Sequence, residues 1–153
     1  MINYVKGDAT QPTGDGNKII AHVTNNEGGW GAGFVVAISK RWKQPEIAYR
    51  SWGRPYQLGT VQTIQVENDL WVANMCAQNG LGGFIRGAKP LVSYTQLTRC
   101  LWQLHKRATV LNASIHMPRI GAGLGGGDWN VIELIIKDTL RNHCVTIYDL
   151  EKK

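Results

Sequence analysis

The residues with the most chemical potential lie in two glycine-rich turns. The first is Asn25-Asn26-Glu27-Gly28-Gly29-Trp30-Gly31-Ala32-Gly33-Phe34, which follows the apolar run Lys18 to Val23. The second is Gly121-Ala122-Gly123-Leu124-Gly125-Gly126-Gly127, which follows Ile115-His116-Met117-Pro118-Arg119-Ile120. Glycine lets a backbone approach a ligand closely and adopt positive φ. A helix starting just beyond such a turn offers free N–H groups and the positive end of its dipole. Two such turns in one small chain suit a ligand with two phosphates, held from both sides. Five glycines in the seven residues from Gly121 to Gly127 are costly in chain entropy, and ligand approach explains them more readily than packing does.

Other residues have both a bland and a functional reading. His22 lies inside an apolar strand and is either a satisfied core histidine or a catalytic group. Asn25 and Asn26 follow that strand as turn formers or as partners for a sugar hydroxyl. Asp8 is a turn cap or a ligand contact. Asp128 directly precedes a helix and is a natural N-cap. Trp30 and Trp129 flank the glycine turns and are placed to border a ligand, whereas Trp42, Trp52 and Trp102 are expected in the core or in helix packing. The second turn is no Walker loop, because no Gly-Lys-Ser/Thr follows, and it lacks the dinucleotide-binding spacing. There is no nucleophile elbow, zinc signature or Ser-His-Asp arrangement. Read this way, the residues indicate a diphosphate site more clearly than a reaction.

These turns need a scaffold, and the composition allows one. The chain has 153 residues, 43% of them hydrophobic and 18% charged, which suits a single globular domain with a proper core. No apolar run approaches the roughly 20 residues that span a bilayer, and the N-terminus lacks the pattern of a signal peptide. Cys76, Cys100 and Cys144 form no metal-ligand pattern or disulfide framework, so a reduced, cytoplasmic setting and a monomer are expected. The formal charge of +6 favours anionic partners. Nucleic acid is disfavoured, because the basic residues do not cluster with aromatics as a stacking surface requires.

Strands are predicted at Ile2 to Lys6, Lys18 to Val23, Gly59 to Val66, Leu70 to Cys76, Ser114 to Met117 and Cys144 to Tyr148. The third and fourth read as a hairpin across Glu67-Asn68-Asp69. Helices are predicted at Phe34 to Trp42, from Pro45 to about Trp52, along the periodic Leu97, Leu101, Leu104, Ala108 and Leu111, and at Asn130 to Arg141. Asn79 to Ala88 reads as a loop. The alternation of strands and helices predicts an α/β protein, a three-layer α/β/α sandwich around a central mixed sheet.

Taken together, these motifs resemble the macrodomain family of ADP-ribose-binding modules over nearly the whole chain. Val5-Lys6-Gly7-Asp8-Ala9-Thr10 resembles its opening segment, His22 to Phe34 its first ligand loop, Met117 to Leu124 its second, and Val145 to Leu150 its final strand. The Gly-Trp-Gly-Ala-Gly and Pro-Arg-Ile-Gly-Ala-Gly-Leu wordings are most similar to the branch containing the yeast-type ADP-ribose-1″-phosphate phosphatase and the terminal ADP-ribose glycohydrolase.

The resemblance implies a site for ADP-ribose with no metal or other cofactor. Asp8 and Ala9 would meet adenine, with Tyr148 or Leu150 against its face. Gly31, Ala32, Gly33 and Phe34 would face Ile120, Gly121, Ala122, Gly123 and Leu124 across the diphosphate. Asn25, Gly29 and Trp30 would meet the distal ribose. It also implies hydrolysis at that ribose, with His22, Asn25 and Asp128 as the catalytic candidates. Two departures count against the glycohydrolase chemistry. Gln78 stands where that enzyme has its attacking lysine, and glutamine forms no such adduct; Gly125 replaces its acid. A non-catalytic ADP-ribose reader is the alternative.

Overall fold

The computed structural model describes residues 2–53, 56–81, 90–123 and 125–150. In chain order the elements are β1 (Ile2–Lys6), β2 (Lys18–Asn25), α1 (Phe34–Arg41), α2 (Gln44–Trp52), β3 (Thr60–Glu67), β4 (Leu70–Gln78), α3 (Tyr94–Leu111), β5 (Ser114–Met117), α4 (Trp129–Thr139) and β6 (Val145–Asp149). The strands form one sheet in the order β1-β6-β5-β2-β4-β3. Every neighbouring pair is parallel except the β3–β4 hairpin. This is the mixed central sheet that the alternating pattern predicts.

A strand covered on both faces reads as continuous apolar sequence, and β2 and β4 are buried almost throughout. Their alternating side chains feed two cores. Ile19, Ala21, Met75 and Ile115 pack with Leu97, Leu101 and Leu104 of α3 and Ile132 and Ile136 of α4. Ile20 and Val72 pack on the other face with Val35, Ile38, Trp42 and Tyr49 from the α1–α2 side. The chain leaves β2 toward one layer and its neighbour β5 toward the other. A crevice therefore opens at the carboxyl ends of these two strands, the position where open α/β sheets hold ligands.

Most predicted boundaries shift by one or two residues. Trp42 caps α1 instead of extending it, and α2 begins at Gln44 with Pro45 in its first turn. Strand β4 continues to Gln78, so its end reaches the crevice. Trp102 is 43% exposed on α3 and is not a core residue. Trp42 is buried, and Trp52 packs against the second core. Of the predicted Asn79 to Ala88 loop, residues 82–88 lie outside the described residues, as does Leu124. Cys76, Cys100 and Cys144 are free thiols. No described helix is long and apolar enough to cross a membrane.

Candidate functional site

The first turn is shaped by one side chain. Asn25, at the end of β2, accepts from the backbone N–H of Glu27 (2.9 Å) and of Gly29 (3.0 Å) through Oδ1, and its amide donates to the Gly29 carbonyl at 2.8 Å. The Tyr49 hydroxyl donates to the Asn25 carbonyl at 2.6 Å. Asparagine is needed because a donor and an acceptor must both point into the same loop. The turn delivers the chain to α1 through Gly33, whose φ of 83° is left-handed. No side chain caps α1, and Val36 N–H donates to the Gly33 carbonyl at 3.1 Å, so the N–H groups of Phe34 and Val35 are the ones left for whatever enters the crevice.

The second turn is built differently. A Cβ at Gly125 would lie 2.7 Å from the Gly121 carbonyl oxygen, and one at Gly127 would lie 2.7 Å from Val92 and 2.8 Å from that same oxygen. Gly127 N–H donates to the Gly121 carbonyl at 2.8 Å, and Gly125 C=O accepts from Leu91 at 2.9 Å and Val92 at 3.2 Å. Gly121 has φ 72°, and Gly126 has φ 69°. Packing and backbone conformation thus account for Gly121, Gly125, Gly126 and Gly127, which corrects the expectation that ligand approach explains the glycine density. Gly123 is the exception: nothing lies within 4 Å of its would-be Cβ and its φ is ordinary. Among the described glycines only Gly31, in the first turn, shares both properties.

Gly31 and Gly123 line the same cavity of about 770 Å³, together with His22, Asn25, Gly29, Ala32, Gly33, Phe34, Arg119, Ile120 and Gly121. Val23, Thr24, Val35, Gln78, Leu81, Pro118 and Gly125 complete the lining. Its walls are mostly backbone and apolar side chain. His22 and Arg119 are the only acid–base groups among these lining residues.

His22 is 2% exposed, and its Nε2 lies 2.5 Å from Asn74 Oδ1. The Asn74 amide nitrogen donates to the Pro45 carbonyl and to Gln62 Oε1, so Oδ1 must accept and the imidazole carries its proton on Nε2. Nδ1 is then a lone-pair atom, buried with no hydrogen-bond partner among the described residues. Trp30 meets the ring edge-on at 5.4 Å and Phe34 tilts over it at 5.9 Å. Burial pushes the His22 pKa down to about 4, although the Asn74 contact acts in the opposite direction, so the ring is neutral at pH 7.

Ten of the expected site residues reach the cavity lining: His22, Asn25, Gly29, Gly31, Ala32, Gly33, Phe34, Ile120, Gly121 and Gly123. Asp8, Ala9, Trp30, Ala122, Tyr148, Leu150 and Asp128 do not. Asp128 accepts from Asn130 N–H at 2.9 Å and caps α4. Its backbone N–H receives the Tyr94 hydroxyl as acceptor at 2.9 Å. Asp128 therefore serves as the cap of α4 and is not among the described residues lining the cavity.

Trp30 is turned into the core, where its indole N–H donates to Ser39 Oγ at 2.7 Å. Tyr148 is 4% exposed and its hydroxyl accepts from Thr13 N–H at 3.0 Å. That hydroxyl lies 2.7 Å from His116 Nδ1, and Ser114 Oγ lies 2.7 Å from Nε2. The Tyr148 ring is thus committed to an internal relay and gives no open face to a base. Asp8 Oδ1 accepts from the Thr10 N–H and hydroxyl at 2.8 and 2.7 Å, making the turn after β1. Leu150 is 75% exposed. Arg119 was missed, although it stands within the Pro-Arg-Ile-Gly motif; its lone positive charge gave no signal apart from that wording.

No family model matches the chain. A solved macrodomain protein from Streptomyces coelicolor is 46% identical, covering 97% of this chain and 99% of its own, with a TM-score of 0.85. The chain belongs to the macrodomain family. Among curated proteins, the ADP-ribose 1″-phosphate phosphatase of the yeast Meyerozyma guilliermondii is 26% identical over 161 residues, covering 89% of this chain and 92% of its own. Chromodomain-helicase-DNA-binding protein 1-like of Danio rerio is 29% identical over 149 residues, covering 91% of this chain. This macrodomain spans only 14% of that helicase relative's length.

Proposed function

We propose that the cavity binds ADP-ribose and that the protein hydrolyses an ADP-ribose derivative at the distal ribose. One observation carries the binding reading. Gly31 and Gly123 line the cavity from different turns, and the described residues give neither a reason to be glycine. A ligand that passes between them supplies that reason. The uncapped start of α1 beside Gly31 makes the ligand anionic, and the two turns suit a diphosphate. Adenine then extends toward the ends of β1 and β6, near Asp8, Ala9 and Leu150. The distal ribose extends toward Asn25, Gly29 and His22.

The reaction reading rests on His22. Its Nδ1 lone pair is the free proton acceptor among the described lining groups, and the adjacent diphosphate would supply positioning. Water attacks the phosphorus of ADP-ribose-1″-phosphate, or the anomeric carbon of an ester to an acidic protein group. The proton lost by that water passes to Nδ1 and then to the leaving oxygen. Asn25 holds the Gly29 carbonyl and N–H at the ribose end instead of acting on the substrate itself.

A second reading, a non-catalytic reader, is favoured by Gln78 at the end of β4 and by the absence of Lys, Asp and Glu from the described lining. Calorimetric titration of ADP-ribose, followed by incubation with ADP-ribose-1″-phosphate and assay of released phosphate, separates the two. His22→Ala is expected to lower turnover at least a hundredfold while leaving ADP-ribose affinity within a few-fold. Binding without turnover on phosphate or ester substrates leaves the reader.

A further inference from the structure

Just before the second glycine turn, the cavity lining includes Arg119, whose side chain is 43% exposed. The sheet order sets the ends of β1, β6 and β5 side by side, so Asp8, Leu150 and Arg119 follow three adjacent strands. The Arg119 guanidinium is held on two sides. Nε and one terminal nitrogen donate to the two Asp149 oxygens at 2.7 and 3.0 Å, a bidentate grip. The rings of Tyr4 and Trp129 lie 5.2 and 5.3 Å from its central carbon. Those rings are themselves fixed, since Trp129 Nε1 donates to the Tyr4 hydroxyl at 3.0 Å and that hydroxyl donates to Glu133.

The Asp149 pair has two consequences. It neutralises Arg119 locally, which makes the guanidinium a weak phosphate anchor. It also fixes the orientation of a flat, weakly hydrated plane in the cavity lining, which suits stacking against an aromatic base. The residue expected to meet adenine, Tyr148, is unavailable because its ring is buried and its hydroxyl is engaged.

We infer that Arg119 is the specificity-determining residue for the base: a purine stacks on its partly exposed guanidinium while Asp149, Tyr4 and Trp129 hold that group in place. The inference rests on the ADP-ribose reading and adds to it the group that selects purine over pyrimidine, because the larger purine face covers more of the guanidinium plane.

The test is calorimetric titration of ADP-ribose and of uridine diphosphate ribose into the wild-type protein, Arg119→Ala and Arg119→Lys, with a thermal melt of each. The wild type is expected to prefer ADP-ribose by about tenfold. Both variants should lose most of that preference through weaker ADP-ribose binding, with uridine diphosphate ribose nearly unchanged. Lysine keeps the charge without the plane, so it should behave like alanine. Equal losses for both ligands, or a preference retained by either folded variant, overturn this inference alone. A wild type that binds neither ligand overturns the ADP-ribose reading and this one together.

Discussion

Strand–turn–helix units β2–α1 and β5–α4 are alike in sequence and opposite in construction. Each strand buries a histidine, each turn is rich in glycine and each leads into an amphipathic helix. In the first unit the helix is uncapped, Gly31 faces open space and His22 keeps a nitrogen without a partner. In the second unit Asp128 caps the helix, three glycines are crowded by their own loop or by Val92, and both His116 nitrogens are engaged. Polar groups left unsatisfied by the protein are costly when buried, so they accumulate where a ligand is to satisfy them. On the ADP-ribose reading, the first unit is the half left open to the ligand, and the second is a wall closed by its own contacts.

Acid gives the largest test of that difference. Burial lowers the pKa of both His22 and His116 to about 4, with the Lys18 charge adding to the effect at His116. In the unfolded chain each titrates near 6.5. Between these values the unfolded state binds more protons, so stability falls as pH drops from about 6.5 toward 4, by up to about 3 kcal/mol for each ring. Urea melts across this range should show the loss. Histidine NMR titrations then separate the units: saturating ADP-ribose, an anion in the cavity that His22 lines, should raise the His22 midpoint and leave His116 in place. Equal movement of both midpoints, or of neither, would break the contrast.

Glycine substitutions sharpen it at a smaller scale. Gly125→Ala drives a methyl against a backbone oxygen and should destabilise the fold by about 2–3 kcal/mol. Gly31→Ala meets no atom of the described residues within 4 Å and should change stability by less than about 0.5 kcal/mol, yet weaken ADP-ribose binding about tenfold. Paired melts and titrations check this. A Gly31→Ala protein with unchanged affinity would remove the observation on which the binding reading rests.

Much of this architecture was legible in the sequence because its signals are local. The strand at Ile2 to Lys6, the helix carrying Leu97 to Leu111 and the hairpin across Asn68-Asp69 follow from periodicity and turn chemistry alone. The grouping of the first glycine turn was legible too, since most residues from His22 to Phe34 line one cavity. What escaped depends on long-range geometry. Sequence spacing cannot show that the Gly121 carbonyl returns over Gly125 and Gly127, nor that the Tyr148 hydroxyl is taken by Thr13 and His116. The direction of Trp30 depends on the same geometry: flanking a glycine turn does not fix which way an indole points, and Ser39 holds it inward. Arg119 gains its meaning only from Asp149, Tyr4 and Trp129, three residues from distant parts of the chain.

Asp128 gives the smallest and most discriminating test. Sequence allowed it to be a cap or a substitute for a missing catalytic acid, and its Oδ1 contact with Asn130 N–H makes it the cap. Asp128→Ala should cost about 1 kcal/mol of stability, and Asp128→Asn or Asp128→Ser should restore most of it, since these side chains cap nearly as well. Phosphate release from ADP-ribose-1″-phosphate, scaled to folded protein, should be unchanged in all three variants. A loss of turnover in Asp128→Asn, where the cap survives and only the charge is removed, would make the second unit a chemical participant. The division of labour between the two turns would then fail at the position where the structure states it most directly.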